Sequence, residues 1–186
     1  MSLKQSEDKF ANVISDALHE VTDKDKKKID QQIAEWMRGN GFFYMECMEL
    51  NLVTASLYLY ESIEKKADRN IVNIRCVPSE DAFDRKIVLN GHILWTVENL
   101  LLDLLARFTV PNQEVMLSTK ENNITVSGIY SILEYLNELC SEKDGEFVIE
   151  KNKNALALAY LKLNGCYIKE VNEEDRNMIL IGFETE

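Results

Sequence analysis

The sequence predicts an α+β fold: a two-layer sandwich of helices on a mixed sheet, preceded by an N-terminal helix or helical hairpin. Three observations point there. Segments whose apolar residues recur every three to four positions alternate along the chain with segments of period two. Two pairs of strand-like segments are joined by short polar turns, as hairpins are. Apolar residues make up 46% of the 186 positions, enough for a sizeable core, and no internal repeat points to a solenoid.

Residues 5–38 read as helix. Phe10, Val13, Ile14, Ala17, Leu18 and Val21 form one apolar stripe, which resumes at Ile29, Ile33, Ala34 and Met37 after the charged TDKDKKK run. Thr22 or Asp23 suits a second N-cap, so one long helix and a hairpin both stay open. Gly39-Asn40-Gly41 ends the helix, and residues 1–41 separate as a helical segment from a sandwich over 42–186. FFYMECMEL (42–50) reads as a strand. LVTASLYLYESIEKKA (52–67) is a helix with Leu52, Ala55, Leu59 and Ile63 on one side. IVNIRCV (71–77) and KIVL (86–89) are strands.

HILWTVENLLLDLLARF (92–108) is the strongest helix. Ile93, Leu94, Val97, Leu100, Leu101, Leu104, Leu105 and Phe108 follow one face. EVMLSTKENNITVSGI (114–129) is a hairpin about Glu121-Asn122-Asn123, followed by a helix at 129–140 and a strand at 146–150. The helix that begins at Asn154 is apolar on every side. Asn164-Gly165 ends it, and strands at 166–171 and 178–183 turn about Asn172-Glu173-Glu174-Asp175.

Composition excludes several classes. Lys and Arg total 21 against 32 Asp and Glu, a net charge of −11, which disfavours a nucleic-acid or anionic-membrane surface. The basic run at 23–28 reads as a solvated helix end. Cys47, Cys76, Cys140 and Cys166 lack CxxC spacing and stand away from His19 and His92, which argues against zinc and for free thiols. No apolar run reaches the ~18 residues of a membrane span. The expected location is the cytosol, as a separate protein or as the cytosolic part of a larger sensor.

Four strings, in order, carry a resemblance: MELNLVTASLYLYESIEKKADRNIVNI, ILWTVENLLLDLLARFT, EVMLSTKENNITVSGI and ALALAYLKLNGCYIKE. Together they resemble the catalytic, ATP-binding domain of sensor histidine kinases, a branch of the GHKL ATPase superfamily. The first is similar to that family's opening strand, helix and strand, and the second to its asparagine-box helix. The third is similar to the hairpin before its aspartate–glycine box, and the last to its final helix, turn and strand.

The resemblance implies ATP and magnesium held by two asparagines, an aspartate and phosphate-binding glycines. In this chain the Arg107-Phe108-Thr109 ending sets Leu100 and Leu104 at the asparagine positions, and leucine has no oxygen for magnesium. Asn99 and Asp103 stand one residue away, about 100° round the helix, and a register shifted by one would bring them in. Ser127 and Gly128 occupy the aspartate–glycine box. Counting back from Gly165-Cys166 puts Lys151 and Lys153 at the phosphate-binding glycines.

The implied function is therefore a two-component signalling module without ATP, magnesium or another cofactor. It would act by dimerisation through residues 5–38, or by docking a protein partner such as a response regulator. Two alternatives stay open: a divergent, active ATP-dependent kinase, and a phosphotransfer protein in which His19, followed by Glu20, accepts the phosphoryl group. The family's proline after that pair is missing, so an ordinary helix histidine is expected at His19. His92 is expected to be a helix-boundary residue, and Trp36 and Trp95 packing anchors. Glu98, the base a working site could use, is expected to be solvated or helix-paired.

Overall fold

In the computed structural model, which describes residues 23–41, 47–67, 72–140, 153–173 and 176–183, period-two segments become strands and period-3.6 segments helices. The order is α1 (Asp23–Gly39), β1 (Cys47–Asn51), α2 (Leu52–Lys66), β2 (Val72–Val77), a 3-10 turn (Glu80–Asp84), β3 (Lys86–Asn90) and α3 (Gly91–Phe108). Then come β4 (Gln113–Lys120), β5 (Asn123–Ser127), α4 (Leu133–Cys140), α5 (Lys153–Leu163), β6 (Cys166–Glu173) and β7 (Arg176–Phe183).

The predicted α+β class holds. A five-stranded sheet runs β2-β4-β5-β7-β6, with β2 and β4 parallel and the other pairs antiparallel, while β1 and β3 form a separate antiparallel ribbon. Register aligns one face into rows. Leu117, Val126 and Ile179 lie side by side, as do Ile124, Ile181 and Ile168, and all six are buried. Alternation brings these residues to one face, as along β4, while the central strand β5 also buries Asn123 and Thr125 on the other. Helix α2 lies on β2 and β4, α5 lies against β6, and α3 packs between α2 and α5.

Local chemistry sets several boundaries. Asn51 caps α2, its Oδ1 accepting from the Thr54 N–H at 2.7 Å and from the Thr54 hydroxyl at 2.8 Å. Gly165, at φ 70°, takes the left-handed turn that lets α5 reverse into β6. The helix expected from residue 129 begins only at Leu133. Tyr130 N–H donates to the Phe108 carbonyl at 2.9 Å and Ile132 N–H to Glu170 Oε2 at 2.8 Å, which ties 130–132 to α3 and β6 instead. Strands β6 and β7 also run past the expected limits, to Glu173 and from Arg176.

Helix α1 bears on the expected dimerisation through residues 5–38, whose alternative was docking back on the sandwich. Ile29, Ile33 and Met37, at 0%, 0% and 1% exposure, are buried where α1 docks on α5 of the same chain. The reason is visible in α5, whose residues 154–161 are all buried. A helix that is apolar all round must be covered on every side. The sheet, α3 and α4 leave one flank, and α1 covers it. Over residues 23–39 the stripe is therefore an internal contact and not a free pairing surface. The expected helix over 5–22, the expected strand at 146–150, His19 and Lys151 lie outside the described residues.

Candidate functional site

Helix α3 sorts its side chains by burial. Ile93, Leu94, Val97, Leu100, Leu101, Leu104 and Leu105 enter the core, which leaves another face to open outward. That face lines a cleft of about 600 Å³ bounded by Asn99, Leu102, Asp103 and Arg107 of α3, Lys153 and Asn154 of α5, and Trp36 of α1. Leu100 and Leu104 are both fully buried, so they do not face this cleft. The polar pair beside it is Asn99 and Asp103, one residue earlier in each case. The apolar stripe, which includes Leu100 and Leu104, sets this rotation, and the register shifted by one residue from the Arg107-Phe108-Thr109 ending is the one whose pair borders the cleft. The informative signal was the amide and carboxylate four apart on the polar side of an amphipathic helix.

Asp103 is the hub. Its Oδ2 accepts from Arg107 Nε at 2.6 Å, from Asn154 Nδ2 at 2.6 Å and from the Tyr135 hydroxyl at 3.4 Å. Asn154 Nδ2 also donates to the Tyr135 oxygen at 2.6 Å. The Arg107 guanidinium lies 5.3 Å from the centre of the Tyr135 ring, and its hydrogen bond to Asp103 holds it above its ordinary pKa. Burial pushes the Tyr135 phenol up, against the opposing pull of its bond with Asn154. Asn99 donates through Nδ2 to the Trp95 carbonyl at 2.8 Å, which leaves Oδ1 as its acceptor. Lys153 Nζ sits 5.4 Å from the centre of the Trp36 ring.

The other expected positions fall elsewhere. Ser127 ends β5, Gly128 follows it, and neither lines the cleft. Gly128 answers a backbone demand: its φ is +84°, and a Cβ there would run into the Glu114 carbonyl oxygen. Lys153 is the first residue of α5 and does reach the cleft. Glu98 faces away from it. That carboxylate is fully buried and paired with Lys66 of α2, so it is bridged between helices and not solvated. Trp36 and Trp95 pack edge to face at 4.9 Å, as anchors do, and Trp36 is also a cleft wall. Its membership, like that of Tyr135 in the network, has no local signature in the sequence.

Among the described residues no group of three or more His, Cys, Asp or Glu could hold a metal ion, and no helix is long and apolar enough to cross a membrane. No family model matches the chain, and no curated protein matches it. Solved structures similar to it include the cytoplasmic segment of histidine kinase QseC, 13% identical over 85% of this chain and 95% of that one, with a TM-score of 0.49. The nucleotide-free catalytic domain of histidine kinase ThkA is 16% identical over 74% and 95%, with a TM-score of 0.47. The histidine kinase domain of the E. coli osmosensor EnvZ is 14% identical over 78% and 92%, with a TM-score of 0.42.

Proposed function

We propose that the chain is a two-component signalling module of histidine-kinase-like architecture that docks a protein partner, such as a response regulator, and does not turn over ATP. The observation that carries this reading is the state of Asp103. Magnesium needs oxygen ligands open to it, and of the two Asp103 carboxylate oxygens Oδ2 already accepts from Arg107, Asn154 and Tyr135, which leaves Oδ1 alone to offer. The resemblance adds support, because counting back from Gly165-Cys166 sets Lys153, the first residue of α5, where a phosphate nest would need glycine. The residues present thus fit a magnesium-bridged triphosphate poorly.

A second reading, a divergent ATP-dependent kinase, is favoured by one observation. Asn99 and Asp103 both line the cleft, four residues apart on α3, so two oxygen-bearing side chains could approach one cation. Calorimetric titration with ATP and magnesium separates the two. The expected result is no saturable heat up to millimolar nucleotide. A micromolar dissociation constant, lost in Asn99→Ala and Asp103→Ala, establishes the second reading and removes the first.

A further inference from the structure

Two cations bordering the cleft have donors left over. Arg107 gives Nε to Asp103, and its Nη1 and Nη2 donate to nothing among the described residues. Lys153 Nζ rests near the Trp36 ring and forms no ion pair among the described residues. Both side chains are exposed. Asp103 balances one of the two charges, so the described lining residues keep one positive charge in excess on a chain whose net charge is −11.

The Arg107 fork is also held in place. Its ion pair with Asp103 and its position over the Tyr135 ring restrain the guanidinium from two sides. A planar guanidinium fixed in this way presents its remaining N–H groups as a pair, which matches the two oxygens of a carboxylate. Trp36 and Leu102 supply an apolar wall beside the charges, suited to an aliphatic or aromatic stem. Asn99 Oδ1 offers an acceptor for a peptide N–H.

We propose that this cleft is the docking site for an acidic peptide segment of the partner protein. A Glu or Asp carboxylate of that segment bonds Arg107 Nη1 and Nη2 and Lys153 Nζ, and a neighbouring side chain lies against Trp36 and Leu102. The proposal rests on the reading of the chain as a docking module without ATP turnover.

The test titrates hexaglutamate into the full chain, followed by calorimetry and by emission of its two tryptophans, Trp36 and Trp95. Hexaglutamine and free glutamate serve as controls. Saturable hexaglutamate binding that weakens as salt rises is expected. Arg107→Gln and Lys153→Gln should each weaken it about tenfold, the scale of one lost charge-assisted hydrogen bond. Lys65→Gln, on the exposed surface of α2, should leave it unchanged. Melting curves identical to the parent's show that the variants are folded.

Absence of hexaglutamate binding overturns the site. So does binding indifferent to both substitutions, or equal binding of hexaglutamine or free glutamate. ATP with magnesium, titrated in parallel, separates the two levels of the argument. Micromolar nucleotide binding alongside Arg107-dependent hexaglutamate binding removes only the reading without ATP and keeps the acidic-peptide site. Nucleotide binding with no hexaglutamate binding removes both.

Discussion

Ile33→Ala tests whether α1 is part of the fold or a detachable stalk. Ile33 is fully buried in the contact between α1 and α5. The substitution removes three carbons, which at about 0.8 kcal/mol each gives about 2.4 kcal/mol of lost transfer free energy. A residual cavity against the closely packed α5 raises the expected cost to roughly 3–4 kcal/mol, within the usual range for a buried aliphatic residue. Urea unfolding followed by tryptophan emission is a suitable assay. Trp36 lies on α1 and Trp95 on α3, with ring centres 4.9 Å apart, so one probe reads both α1 docking and the core. The loss should be the same at tenfold lower protein concentration, because the contact lies within one chain. A change below about 0.5 kcal/mol refutes the reasoning, since surface substitutions fall in that range. A separate early transition for α1, or a cost that varies with concentration, refutes it as well.

Two further outcomes follow from single positions. Gly128→Ala should destabilise by about 2 kcal/mol or more, because a left-handed φ of +84° and the Glu114 carbonyl oxygen both exclude a side chain; an unchanged thermal melt would count against this. Tyr58 is raised above its ordinary value of 10.0 by burial, and secondarily by the Glu98 carboxylate. The unfolded chain therefore gives up this proton first, so the contribution to stability is intact below about pH 10 and is lost as the pH rises beyond it. Tyr58→Phe should lose less stability than the parent between about pH 9 and about pH 11 in urea titrations, and parallel curves would contradict the assignment.

Local pattern alone determined much of this protein. Helix α2 begins at Leu52 because Asn51 caps it, α5 turns at Gly165 because glycine takes the left-handed conformation, and the β4–β5 hairpin follows from alternation. These signals act within a few residues, so they survive in the sequence. The periodicity of α3 was equally legible. So was its rotation, since the apolar stripe already holds Leu100 and Leu104; what faces Asn99 and Asp103 was not, because Trp36, Lys153 and Asn154 come from other helices and only packing brings them there.

What covers an apolar surface is a long-range question. The sequence shows that α5 has no polar side and that α1 has an apolar stripe, yet it cannot say that one answers the other. Residues more than a hundred positions apart meet there because burying both surfaces within one chain removes them from water without the loss of translational freedom that a partner would require. The cleft has the same origin. Trp36, Asp103, Tyr135 and Asn154 come from four helices, and their site exists only once those helices are packed together.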